Sequence, residues 1–148
     1  MNKSLPVLAT ALLINLVSGI GFAQSALEEI EGITLEDKVF EAVDENRILV
    51  LASSEDAERN LSEENFKKLS DQVDFDTQRV VVFAWRGSGR DRVSYSIAES
   101  WPEQISFQYE RGMTRDLRSH TKIFALRSNV SCTVGENAVE LNLSLIHI

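Results

Sequence analysis

Cysteine, proline and histidine are scarce: one, two and two residues respectively in a chain of 148. The sole cysteine, Cys132, closes no internal disulfide, so folding must rest on an apolar core. Two histidines with no His, Cys or carboxylate at ligand spacing supply no metal site. Closely spaced acids occur at Asp71, Asp74 and Asp76, but without the glycine and spacing of a calcium loop. No Walker lysine is present, and no nucleophile elbow or other motif nominates a serine to act with His120. The residues therefore assign no catalytic group, no metal and no cofactor. Positive charge is also short, with 15 Lys and Arg against 23 Asp and Glu and a net charge of −8. That balance argues against a nucleic-acid partner.

Long apolar runs are equally few. Met1-Asn2-Lys3 gives a positive start, residues 5–22 are mostly apolar, and Gly21-Phe22-Ala23 is a small-x-small exit. Residues 1–23 are expected to be a secretory signal peptide cut after Ala23; an uncleaved anchor is the alternative. No second stretch is long enough to span a bilayer. The expected location is periplasmic or extracellular, with no membrane attachment after cleavage.

What is present centres on residues 74–97, DFDTQRVVVFAWRGSGRDRVSYSI. Val80, Val81, Val82, Phe83, Ala84 and Trp85 form an unbroken apolar run that suits a strand covered on both faces. Gly87-Ser88-Gly89-Arg90-Asp91 is turn chemistry. Val93, Tyr95 and Ile97 then alternate with polar residues, which predicts a strand with one buried face. Together these predict an antiparallel hairpin whose first strand lies inside a sheet.

Residues 47–53 (RILVLAS) read as another strand. Ser53 or Ser54 is placed to cap a helical turn at residues 55–59, and Ser62 to cap a helix at 63–69. Leu61 and Phe66 flank that cap at hydrophobic-staple positions. Residues 34–45 fit two periods: Leu35, Val39, Phe40 and Val43 have helical spacing, whereas Val39, Glu41 and Val43 also alternate. After the central stretch, Ile105, Phe107 and Tyr109 alternate, residues 111–120 read as an exposed polar connection, and residues 122–126 and 130–134 read as closing strands. Cys132 shares a face with Val130 and Val134 and is expected to be a small buried hydrophobe. The predicted fold is α+β, a mostly antiparallel β-sheet meander with one short helix packed on a face. Residues 24–137 form the predicted single domain. Residues 138–148 are set apart as a tail. Its end, NLSLIHI, resembles the peptide read from adapter DNA joined to an incomplete gene, with a final strand as the alternative.

Charge is uneven along the chain. Residues 24–76 hold 16 acids and 5 bases, and residues 77–148 hold 7 acids and 9 bases. A soluble acidic surface explains this; a basic patch for an anionic partner is the alternative.

The segments IEGITLEDKVFEAVDENRILVLASSEDAERN and VDFDTQRVVVFAWRGSGRDRVSYSI resemble the C-terminal domain of PrcB-type bacterial protease-complex stability proteins, over roughly residues 30–110. That family carries Gly-Gly-Tyr at the turn; here the stretch is Asp91-Arg92-Val93-Ser94-Tyr95, and only Tyr95 corresponds. The resemblance implies an exported β-rich domain that binds or stabilises an envelope protease, with no catalytic residues. Interface energetics favour Trp, Tyr and Arg, so the expected partner-binding residues are Trp85, Arg86, Arg90, Tyr95, Trp101, Arg111, Arg115 and Arg118. Two other classes stay open. A small hydrolase or ligand-binding domain requires a concave pocket holding Asp, Glu or His120. A self-associating envelope protein requires Cys132 or an open sheet edge as its handle.

Overall fold

The computed structural model describes residues 25–136, 139–141 and 143. The predicted signal peptide and residues 144–148 lie outside that range. Among the described residues, eight strands and three short helices follow the order β1 (Leu27–Glu29), α1 (Asp37–Ala42), β2 (Ile48–Leu51), α2 (Ser54–Asn60), α3 (Glu63–Ser70), β3 (Gln78–Ser88), β4 (Arg92–Ala98), β5 (Gln104–Glu110), β6 (Leu117–Arg127), β7 (Ser131–Val134) and β8 (Val139–Glu140). The class is α+β with mostly antiparallel pairing, as its residues predict. Three short helices, rather than one, supply the α part.

The strands form two sheets, ordered β1-β6-β3-β2 and β4-β5-β7-β8. β3 is the hub. Val80, Val82 and Ala84 join Leu51, Ala57, Leu61 and Leu69 in a cluster beneath the helices. Val81, Phe83 and Trp85 join Ile105, Phe107 and Cys132 in a second cluster between the sheets. Successive side chains point to opposite faces, so an unbroken apolar run serves two cores. The result is three layers: helices, first sheet, second sheet. Phe83 lies at the centre, its ring centroid 4.9 Å from Phe107 and 5.9 Å from Phe124.

Several expectations need correction. β3 and β4 do not pair as a hairpin: β3 pairs with β2 and β6, and β4 pairs with β5. The glycine turn instead carries the chain from one sheet to the other, because the two faces of β3 already need covers on both sides. The closing strands are not a meander either, since β7 runs parallel to β5. Residues 117–120 belong to β6, which matches β3 along its full length from Gln78↔Arg127 to Ser88↔Leu117. Polar side chains hid this strand end, where backbone pairing rather than burial extends the ladder. β4 was expected to bury one face, yet Tyr95 and Ile97 stay exposed because β4 is an edge strand.

The ambiguous segment at 34–45 resolves to α1, capped by Glu36 with no side-chain bond. Just before it, the Thr34 carbonyl accepts from Asn65 Nδ2 at 2.7 Å. The serine caps hold: Ser53 accepts from the Asp56 N–H and Ser62 from the Asn65 N–H. Cys132 is fully buried and its thiol is pushed up to about 12 by burial. That closes off the cysteine as a self-association handle in the folded chain. Within the stretch set apart as a tail, β8 pairs with β7, and Leu143 lies in the inter-sheet core.

Candidate functional site

The sheet crossover places the end of β3, Gly87 and Ser88, and the 89–91 turn that follows against the loop joining β5 to β6. Two carboxylates hold them together. Asp91 accepts from the Gly112 N–H at 2.8 Å and from Trp85 Nε1 at 3.3 Å. Asp116 accepts from the Gly89 N–H at 3.1 Å and from Arg118 Nε at 2.6 Å. Ser88 adds a third tie, its hydroxyl 2.5 Å from the Thr114 hydroxyl and accepting from the Thr114 N–H at 3.0 Å. The approach is close enough to require glycine at 112, where a Cβ would sit 2.5 Å from the Arg90 carbonyl carbon.

Ionised acceptors at these positions are favoured. The Gly112 N–H holds Asp91 below its ordinary range, with further help from Trp85, His120 and Arg111. The Thr114 hydroxyl and then the Gly89 N–H bring Asp116 down to about 2.

Beside this clasp lies a half-open cleft of about 640 Å³. Its floor is aromatic. Trp85 and Tyr109 meet edge to face at 5.3 Å, and His120 stacks on Trp85 at 4.9 Å with an interplanar angle of 17°. Tyr109 donates its hydroxyl to the Asn46 carbonyl at 2.9 Å, and burial raises its phenol well above the ordinary value. The walls carry Arg47, Arg86, Arg111 and Arg115. Arg86 is engaged, paired with Asp37 at 3.2 Å and lying 5.4 Å over the Phe40 ring. Among the described residues no ion pair is formed by Arg47, Arg111 or Arg115; of the wall acids Glu45, Asp91, Glu110 and Asp116, Glu110 and Asp116 are paired to Arg92 and Arg118, and Asp91 is taken up by the clasp. Glu110 is held below its ordinary range by Ser94 first and Arg92 second.

Arg47 reaches the cleft from a strained turn. Its φ is 63°, left-handed for a non-glycine residue. Asp44 stabilises this turn, its carboxylate accepting from the N–H groups of Asn46 at 2.8 Å and Ile48 at 3.0 Å.

Of the eight expected partner residues, the cleft gathers Trp85, Arg86, Arg111 and Arg115. Arg90 and Arg118 are exposed nearby but line no part of it, and Tyr95 and Trp101 lie elsewhere. Trp85, expected among the partner-binding residues, is buried, because its side chain joins the inter-sheet core, and it also lines the cleft. Sequence reasoning missed Arg47 and Tyr109. Tyr109 was legible as a core-facing strand residue, and nothing in the sequence near Arg47 signals its left-handed turn.

Guanidinium groups beside aromatic rings recognise carboxylates and other planar anions. His120 Nε2 lies 2.7 Å from the Ser88 carbonyl. A carbonyl only accepts, so Nε2 carries the proton and faces no hydroxyl nucleophile there. Among the described residues, no three His, Cys, Asp or Glu side chains converge on a metal position. No described helix is long and apolar enough to cross a membrane. No family model, curated protein or solved structure matches the chain.

Proposed function

We propose that this chain is an exported recognition domain that takes a carboxylate-bearing segment of an envelope protein into the cleft. On the family resemblance, that partner is a protease that the domain binds or stabilises. One observation carries the reading: in an acidic chain, Arg47, Arg111 and Arg115 line one cleft above an aromatic floor and, among the described residues, form no ion pair. Free guanidinium groups in a concave site are a standing attraction for anions.

The test combines recovery and affinity. The tagged chain is used to recover partners from the envelope fraction of its source, and binding is then measured by calorimetry. Replacing Arg111 and Arg115 together with Glu should weaken binding about 100-fold or more, since each charge-assisted contact contributes roughly 1.5–3 kcal/mol. Arg90→Glu, outside the cleft, should change it little. Undiminished binding by the double variant would remove the cleft from the account.

A second reading rests on the cleft volume, which falls within the range of small-molecule sites. Binding of a free dicarboxylate, with no envelope protein recovered above background, would favour a ligand-binding domain instead.

A further inference from the structure

β4 closes the second sheet, and among the described residues no strand lies along its outer edge. Sheet edges are ordinarily protected by charge, proline, a bulge or shortness. The other three edges are short: β1 has three residues, two of them glutamates, β2 has four and β8 has two. β4 has seven residues, and residues 93–98 (VSYSIA) contain neither charge nor proline. Its register with β5 runs unbroken from Arg92↔Glu110 to Ala98↔Gln104, so no bulge turns the edge away.

The core-facing side of this edge is incomplete. Tyr95 packs its ring 5.6 Å from Phe124 and 6.2 Å from Phe107, yet remains 46% exposed, and Ile97 is 40% exposed. Both rows of side chains share a further property. Residues 93–97 read Val-Ser-Tyr-Ser-Ile, the same pattern of apolar, serine and aromatic in either direction. An antiparallel copy centred on Tyr95 sets Val93 opposite Ile97, Ser94 opposite Ser96, and Tyr95 opposite itself. Apolar residues then meet apolar residues on the core side, and serines meet serines on the other. An isologous two-fold contact demands this self-complementarity, whereas a strand from an unrelated protein does not.

We propose that two copies of this chain pair antiparallel through β4, with Tyr95 on the two-fold axis, joining their second sheets into one continuous eight-stranded sheet. β4 lines no part of the arginine cleft, so the dimer leaves that site open and presents it twice.

The test is sedimentation of the purified chain over a concentration series. A reversible monomer–dimer equilibrium is expected. Tyr95→Lys, which opposes two like charges on the axis, should be monomeric throughout with an unchanged circular dichroism spectrum. Tyr95→Glu should also be monomeric, and mixing the two variants should restore a heterodimer. Hydrogen exchange on the unmodified chain gives an independent readout, because β4 amides should become slower to exchange as concentration rises. If Tyr95→Lys fails to fold, that exchange measurement decides. A unmodified chain that stays monomeric at its highest soluble concentration, a dimer that survives Tyr95→Lys, or protection gained at another edge would each overturn the proposal.

Discussion

Arg47 lines the cleft from a left-handed backbone conformation. A left-handed non-glycine residue costs roughly 1–2 kcal/mol. Glycine at the same place removes that strain but gains freedom in the unfolded chain, which offsets roughly 0.4–1 kcal/mol. Arg47→Gly is therefore expected to raise stability by roughly 0.5–1 kcal/mol in urea denaturation. The same variant should weaken anion binding, because it deletes one of the three unpaired cleft guanidiniums. A loss of stability would show that the Arg47 side chain has a structural role that outweighs its strain.

At the scale of elements, Asp91 and Asp116 hold the end of β3 and the 89–91 turn against the 111–116 loop most firmly while both are ionised, beside the Ser88–Thr114 tie. Both carboxyls titrate below their ordinary values in the folded chain. A depressed carboxyl contributes stability that is fully present above the unfolded value and is lost as pH falls through the folded one. For Asp116 that window runs from 3.8 down to about 2. The clasp should thus hold at neutral pH and loosen in strong acid. Trp85, bonded to Asp91 and stacked on His120, is the natural reporter. In a Trp101→Phe background its fluorescence should stay constant from neutrality to about pH 4 and change below it. A transition centred near pH 6 would mean that some other group governs the clasp.

For the whole molecule, the hub strand β3 couples two cores, so neither should open without the other. Cys132 tests that coupling. It lies in the inter-sheet core with its thiol raised to about 12 by burial, and the reactive thiolate is almost absent near neutrality. Alkylation by iodoacetamide should be negligible in native buffer. Its rise with urea should track global unfolding followed by circular dichroism, as expected for a group exposed only when the whole domain opens. Labelling well before that transition would indicate that the second sheet detaches separately.

Much of this architecture was already determined along the chain. Patterning alone specified the doubly covered β3, the alternating β5, the serine caps of α2 and α3, the buried Cys132 and the α+β class. Each depends on burial period or on a side chain reaching a backbone group three residues away, and both are local properties. Strand partners were not determined in this way. Residues 87–91 have the composition of a hairpin turn, and the same composition permits a crossover between sheets. The choice fell to β6, which offers β3 a longer ladder than β4 does, together with a second core to cover. That choice also built the cleft. Arg47, Arg86 and the Arg111–Arg115 loop stand far apart in sequence and meet only because the crossover folds the end of β3 onto that loop. Period and capping act over a few residues and are written in order; convergence of distant side chains depends on which strands pair, and tertiary packing alone decides that.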